Sequence, residues 1–180
     1  MPVDESAIAT WANVVTVTRV LASPFLFAIL PSDSRGSWVA FVVWVFLCSS
    51  DGVDGYLARR HGTTKSGAFL DPLADKILIL GAMFTLVSRG IFWLLPVSII
   101  AAREILISVY RVVVGARGVS VPASRLAKWK TLFQQLAVGF AIAPLTTTDA
   151  TWLWVSLLWA AVVLTVITGT QYAYHAVKEH

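Results

Sequence analysis

Six long apolar stretches, separated by short polar segments, constrain the fold of this 180-residue chain more than any other feature. About 20 consecutive apolar residues form a helix long enough to cross a membrane. The composition agrees, since 57% of the residues are hydrophobic and 13% are charged, whereas soluble domains carry about 25% charged residues. We therefore predict an all-α polytopic membrane protein that forms a single domain over residues 1–180. The six predicted membrane-spanning helices cover residues 14–31, 37–60, 68–88, 91–115, 127–145 and 151–173.

The segment before the first span predicts how the chain enters the membrane. Residues 1–13 suit a short N-terminal interfacial helix, with a flexible tail as the alternative. Asp4 and Glu5 stand where a signal peptide would carry basic residues, so we expect no cleaved signal peptide.

The positions of Lys and Arg predict the orientation of the helices. Arg35 and Arg89 lie near one set of helix ends, and most other basic residues lie near the opposite set. Basic residues favour the cytoplasmic side, so we expect both termini on that side of the cell inner (cytoplasmic) membrane. The net charge of +4 does not indicate a nucleic-acid partner, because these residues lie at helix ends instead of on one solvated face. The residues that define the cytoplasmic side are Arg59, Arg60, Lys65, Arg111, Arg117, Arg125, Lys128, Lys130 and Lys178.

Two pairs of aspartates flank the turn between the second and third spans. Asp51 and Asp54 are three residues apart, and Asp71 and Asp75 are four apart, so each pair shares one face of its helix. Because a short turn joins the two helices, the pairs can converge. An ionised Asp within a span costs about 2.5–3.5 kcal/mol, so four of them need strong positive charge nearby.

Divalent cations would supply that charge. Carboxylate oxygens without His or Cys suit hard ions such as Mg²⁺ or Mn²⁺, which also bind phosphate oxygens. The small residues Gly55, Ala58 and Gly67 line the same stretch and leave room for a ligand. Packing of helices through small residues, with Asp/Arg ion pairs, is the alternative explanation.

The stretch from Asp51 to Asp75 resembles the signature of the CDP-alcohol phosphatidyltransferases. Every fixed position of that pattern is filled, in the order Asp51, Asp54, Gly55, Ala58, Arg59, then seven residues to Gly67, Asp71 and Asp75. The resemblance implies a six-helix fold, usually a homodimer, in which the aspartates bind two Mg²⁺ or Mn²⁺ ions. These ions would hold the diphosphate of CDP-diacylglycerol.

The resemblance also implies a role for each residue of the signature. Asp51, Asp54 and Asp71 would be the principal metal ligands, and Asp75 a weaker ligand and the general base. Gly55, Ala58 and Gly67 would let the cytidine approach the helices. Arg59 would lie near the nucleotide, although it could instead be an ordinary cytoplasmic anchor. The implied chemistry is phosphoryl transfer by positioning and electrostatic stabilisation.

The phosphatidyl acceptor is indicated by basic residues of the fourth and fifth spans. Arg103 and Arg111 share a helical face, and Lys128 and Lys130 open the fifth span. These four residues are candidates to bind the acceptor's phosphate, although anchoring at the cytoplasmic surface is an alternative role for the two lysines. Residues 67–76, 102–108 and 127–134 resemble the phosphatidylglycerophosphate synthase branch of the family, which implies sn-glycerol 3-phosphate as acceptor.

Three alternatives stay open from the sequence. Inositol phosphate or phosphatidylglycerol could replace glycerol 3-phosphate as acceptor. A divalent-cation channel or transporter could use the same aspartates, but these carboxylates cluster at one end of two adjacent helices instead of forming a ring or a path across the membrane. We therefore expect an enzyme.

Overall fold

The computed structural model describes residues 5–33, 35–61, 67–116, 125–146 and 149–178, with side chains described for 17–33, 35–50, 73–115, 126–146 and 149–172. Within these residues the chain is entirely helical apart from its turns, and it contains no strand. The six helices are α1 (Glu5–Ile29), α2 (Trp38–His61), α3 (Gly67–Ser88), α4 (Leu94–Ala116), α5 (Arg125–Ile142) and α6 (Thr151–Lys178). Each predicted span corresponds to one of these helices, so the all-α prediction is confirmed.

The first helix differs from the prediction. A separate interfacial helix was expected over residues 1–13, but α1 runs without a break from Glu5 to Ile29, so that division is wrong for the described residues. The physical reason is that no Pro or Gly occurs between Glu5 and Val20, and these are the residues that interrupt helices most strongly. Pro24 is accommodated within the last two turns of α1.

Length and apolar composition identify one helix among the described residues that could cross a membrane by itself. It is the Thr151–Tyr172 part of α6, and Val17–Ile29 and Trp38–Ser50 are shorter apolar segments. Six crossings therefore stay a prediction at this point.

The turn between α1 and α2 packs against the end of α5. Gly36 has a φ of 71°, and a Cβ there would lie 2.7 Å from the carbonyl oxygen of Ile142. The amide of Ser37 donates to the same oxygen at 2.9 Å, and its hydroxyl accepts from the amide of Ala40 at 3.2 Å, which caps the start of α2. These contacts hold one end of the bundle.

The end of α3 is tied to the end of α1. Gly90 adopts a φ of 73°, and the amide of Ile91 returns to the carbonyl of Leu86 at 2.9 Å, as in helix C-terminal caps that use glycine. Arg89 Nη2 then donates to the carbonyl oxygen of Phe27 at 2.8 Å. Because these connections are short, successive helices run antiparallel, and the first turns of α3 and the last turns of α2 lie at the opposite end.

The core lies between the helices and consists of aliphatic and aromatic side chains. The packed pairs are α5 with α6, α1 with α3 and α2, α4 with α6 and α3, and α5 with α2 and α3. Trp44 Nε1 donates to the carbonyl of Gln135 at 3.1 Å and joins α2 to α5. Fully buried residues include Leu26, Leu78, Met83, Leu86, Ile100, Ile142 and Leu158.

Candidate active site

The signature residues lie on the two helices that flank the second turn. Asp51, Asp54, Gly55, Ala58 and Arg59 belong to the last turns of α2, and Gly67, Asp71 and Asp75 to the first turns of α3. Both aspartate pairs are therefore on helices, as their spacing predicted. Of these residues only Asp75 has a described side chain; the side chains of the other three aspartates lie outside the described part, so the convergence of the two pairs stays a prediction.

The donor set fits a hard divalent ion on its chemistry. Four carboxylates offer only oxygen ligands, which Mg²⁺ and Mn²⁺ prefer. Within the described side chains, no group of three or more His, Cys, Asp or Glu could hold a metal. That result does not bear on the cluster, because three of its four carboxylates are not among those side chains.

Asp75 is held by an arginine from the first helix. Arg19 Nη1 donates to Asp75 Oδ1 at 3.0 Å, and the Arg19 side chain is 2% exposed while that of Asp75 is 26% exposed. The second guanidinium nitrogen, Nη2, donates to Ser50 Oγ on α2 at 3.4 Å. Arg19 thus ties α1 to Ser50 on α2 and to Asp75 on α3, and its positive charge lies beside the Asp75 carboxylate.

Sequence reasoning did not assign Arg19 to the site. The signal was present, because Arg19 is an ionisable residue inside the first apolar stretch. Such residues are expensive within a membrane span and mark functional sites by default. Its partner, 56 residues away, is not readable from local spacing.

A second charged cluster forms around Glu104 on α4. Glu104 is 6% exposed, and Lys130 Nζ from α5 donates to its Oε1. Arg103 Nη1 donates to the same oxygen at 3.1 Å, and Lys76 Nζ from α3 lies 3.9 Å from Oε2. Lys76 also donates to Ser108 Oγ. Helices α3, α4 and α5 therefore meet at one carboxylate.

The charges of this cluster do not balance within the described residues. Three cations surround one carboxylate, which leaves a net charge of 3 − 1 = +2. Lys130, Arg103 and Glu104 are buried or nearly so, and buried charges are normally paired, which makes this cluster a candidate site for an anion. Asp75, the neighbour of Lys76 in sequence, is paired with Arg19.

Arg103 and Arg111 share a contact with the last helix, as their common face allowed. Arg103 Nη2 donates to Thr168 Oγ1 at 3.0 Å, and Arg111 Nη2 donates to the hydroxyl of Tyr172 at 3.3 Å. Both guanidinium carbons lie near the Tyr172 ring, at 5.5 and 5.7 Å from its centroid. No residue of α6 was assigned to the site from the sequence.

The two lysines predicted for the acceptor occupy different environments. Lys130 is 2% exposed and is paired with Glu104, whereas Lys128 lies on the exposed side of α5. The structure thus brings Arg103 and Lys130 together at Glu104 and leaves Lys128 at the periphery.

Three buried polar atoms near the middle of the bundle have no hydrogen-bond partner among the described residues. They are Arg103 Nε, Gln134 Nε2 and Thr165 Oγ1. Buried polar groups are satisfied in the great majority of cases. This part of the bundle therefore has donors for further polar partners, such as water or a ligand.

Comparisons with known proteins agree with the signature. The sequence model of the family described as CDP-alcohol phosphatidyltransferase matches residues 9–167. A Mycobacterium tuberculosis (strain H37Rv) protein named "Probable phosphatidylglycerophosphate synthase" is 38% identical over 178 positions, which cover 96% of this chain and 84% of that protein. Two proteins named CDP-diacylglycerol–glycerol-3-phosphate 3-phosphatidyltransferase are also similar. That of Cereibacter sphaeroides is 32% identical, with 89% of this chain and 92% of the relative covered. That of Rickettsia felis is 33% identical, with 93% and 95% covered.

Proposed function

Because the chain belongs to the CDP-alcohol phosphatidyltransferase family, we propose that it transfers the phosphatidyl group of CDP-diacylglycerol to sn-glycerol 3-phosphate. The products are phosphatidylglycerophosphate and CMP. The names of the relatives support this acceptor.

The observation that carries the choice of acceptor is the excess positive charge around Glu104. Lys76, Arg103 and Lys130 lie within 4 Å of that carboxylate, and Arg111, like Arg103, lies near the Tyr172 ring. A phosphate monoester, which approaches two negative charges near neutral pH, would balance the net charge of +2. Phosphatidylglycerol carries a single phosphodiester charge and would balance it less well.

The donor end of the site is formed by the signature. Asp51, Asp54 and Asp71, with Asp75 as a weaker ligand, would hold two Mg²⁺ or Mn²⁺ ions. Such ions, when bound, would neutralise the diphosphate and the leaving CMP. Gly55, Ala58 and Gly67 would leave space for the cytidine, and Arg59 would lie near the nucleotide phosphates.

Asp75 would act as the general base. The acceptor's hydroxyl oxygen forms a bond to the phosphatidyl phosphorus while the bond from that phosphorus to the CMP oxygen breaks, and the hydroxyl proton passes to Asp75. Arg19 supports this role, since its hydrogen bond of 3.0 Å orients the carboxylate.

The acceptor's phosphate would bind between α4 and α5. Arg111 and Lys130 would be its principal contacts, with Arg103 in support. Lys128, which is exposed, would contribute charge at the entrance and not a buried contact.

The proposed setting is a bilayer crossed six times, with both termini and the site on the cytoplasmic side. Exposed large apolar side chains support it, because they occur on every helix, and soluble monomers rarely expose large contiguous apolar patches. Examples are Leu21 (73% exposed), Phe46 (71%) and Leu106 (68%). We also propose a homodimer, which the family resemblance implies.

The proposal is tested with purified protein in detergent micelles that contain CDP-diacylglycerol. CMP release is measured with Mg²⁺ or Mn²⁺ and with glycerol 3-phosphate, inositol phosphate or phosphatidylglycerol as acceptor. We expect rapid CMP release only when glycerol 3-phosphate is the acceptor. Release with phosphatidylglycerol instead would refute the acceptor, and divalent-ion flux into liposomes without any CMP release would refute the enzyme.

A further inference from the structure

One tyrosine of the last helix contacts two cations of the fourth. Tyr172 is 9% exposed, and its ring centroid lies 5.5 Å from Arg103 Cζ and 5.7 Å from Arg111 Cζ. Its hydroxyl also accepts from Arg111 Nη2 at 3.3 Å. Both Cζ-to-centroid distances lie within the range of about 6 Å in which a cation is attracted to the face of an aromatic ring.

The contact with Tyr172 orders two guanidinium groups of like charge, those of Arg103 and Arg111. Arg103 and Arg111 are eight residues apart on α4, which corresponds to about 12 Å along the helix axis. Their like charges repel, and each long side chain loses rotamer freedom when it is ordered. The Tyr172 ring, which lies within about 6 Å of both guanidinium groups, attracts both cations.

The chemistry of the partner matters for an anion site. A carboxylate in the place of Tyr172 would hold the arginines but would also cancel their charge. An aromatic ring holds them without adding negative charge, so the region keeps its attraction for a phosphate. Among the described side chains, Glu104 is the carboxylate that pairs with Arg103.

Two further residues of α6, Thr168 and Gly169, lie against the side chain of Arg103. Thr168 Oγ1 accepts from Arg103 Nη2 at 3.0 Å, and a Cβ at Gly169 would lie 3.4 Å from Arg103 Cγ. The arginine stem therefore lies directly against the backbone of α6. Residues 168, 169 and 172 of α6 thus lie next to the side chains of Arg103 and Arg111 on α4.

We propose that Tyr172 is a positioning residue that holds Arg111 and Arg103 in place for the acceptor's phosphate, so that α6 forms one wall of the acceptor site. The inference rests on the proposed function for the identity of the acceptor. It gives the last helix a role in substrate selection beyond crossing the membrane.

The test compares Tyr172→Leu, which removes ring and hydroxyl, with Tyr172→Phe, which keeps the ring. Steady-state kinetics are measured with each substrate varied in turn. We expect Tyr172→Leu to raise the KM for glycerol 3-phosphate about five- to thirtyfold, since two cation contacts are lost, with kcat and the KM for CDP-diacylglycerol changed less than twofold. Tyr172→Phe should stay within about threefold of the wild type for both substrates.

A matched control separates positioning from general packing. Trp154 lies toward the other end of α6, where it stacks on Phe92 at 5.4 Å. Trp154→Leu also removes a large ring from α6, but it should leave the KM for glycerol 3-phosphate unchanged even where the unfolding temperature falls. If Tyr172→Leu yields no folded protein, Tyr172→Met, which keeps the bulk without the ring, carries the same expectations.

Calorimetric titration of glycerol 3-phosphate into the solubilised protein separates this inference from the proposed function. Turnover by the wild type tests the proposed function. Weaker binding of glycerol 3-phosphate by Tyr172→Leu in the titration tests the positioning role, because this measurement does not depend on turnover. An unchanged KM in Tyr172→Leu, an equal rise for both substrates, or an equal rise in Trp154→Leu overturns the positioning role. A wild type that binds glycerol 3-phosphate without transfer refutes the function alone, and one that does not bind it refutes both.

Discussion

Arg19 on α1 donates a hydrogen bond from Nη1 to Oδ1 of Asp75 on α3 across 3.0 Å, and its side chain is almost completely buried. Replacing Arg19 with Gln keeps a hydrogen-bond donor but removes the charge. We expect turnover to fall at least tenfold while the KM for CDP-diacylglycerol changes less, because Asp75 loses the charged group that orients it. Kinetics of the purified variant, with a pH profile, measure the effect.

The control for this prediction is Ser50→Ala. Ser50 Oγ lies 3.4 Å from Arg19 Nη2 and is a weaker partner, so its loss should reduce turnover less than threefold. Turnover of Arg19→Gln equal to that of the wild type would show that Asp75 does not depend on Arg19.

The metal site is tested by removing single ligand charges. Asp51→Asn and Asp71→Asn should each abolish activity without preventing membrane insertion, because each takes one charged oxygen ligand from the proposed ions. Wild-type activity should disappear in excess chelator and return on addition of Mg²⁺ or Mn²⁺. Full turnover by either variant, or by the wild type in chelator, would contradict the metal-dependent mechanism.

Glu104→Gln tests the charge balance of the second cluster. Removing one partner of a buried ion pair costs about 3–5 kcal/mol, so the unfolding temperature should fall clearly. The local net charge would rise from +2 to +3. Inorganic phosphate should therefore raise the unfolding temperature of the variant more than that of the wild type, which thermal unfolding in detergent measures.

An exposed carboxylate provides the comparison for Glu104. Asp33 pairs with Arg35 at 2.9 Å, and both side chains are open to solvent. Asp33→Asn should therefore leave the unfolding temperature and its phosphate dependence unchanged. The same response to phosphate in both variants would argue against an anion site at Glu104.

The proposed acceptor pocket is tested by three alanine variants, which should raise the KM for glycerol 3-phosphate by different amounts. Lys130→Ala and Arg111→Ala should raise the KM for glycerol 3-phosphate roughly ten- to a hundredfold, the equivalent of about 1.5–3 kcal/mol for one charge-assisted contact. Lys128→Ala should raise it less than threefold, because its side chain is exposed. The KM for CDP-diacylglycerol should stay nearly constant in all three, and an unchanged acceptor KM in the first two would reopen the lipid acceptor.

The helices were predictable because local chemistry determines where they end. Gly36 and Gly90 adopt positive φ angles in the turns, and turn residues of this kind separate the apolar stretches in the sequence. The continuity of α1 through residues 5–20 was also predictable, since the first 20 residues contain no glycine and no proline after Pro2.

Side-chain partners across the bundle were not predictable in the same way. The spacing of Arg103 and Arg111 predicts a shared face, but it does not say that Tyr172, 61 residues after Arg111, lies opposite that face. Glu104 is visible as a charge in an apolar stretch, yet its pairing with Lys130 and Lys76 depends on how α4 packs against α5 and α3. Such choices are made by tertiary packing, which periodicity does not encode.

The pairing of Arg19 with Asp75 has a consequence for biogenesis. A ribosome adds about 5–20 residues per second, so Arg19 is made roughly 3–11 s before its partner. An unpaired Arg within a span costs at most about 2.5–3.5 kcal/mol on the insertion scale, the value for the helix centre, and this cost disfavours stable insertion of α1 alone. We expect α1 and α3 to enter the bilayer as a unit, so that nascent chains truncated before Asp75 are extracted by alkali while chains that include all of α3 resist it.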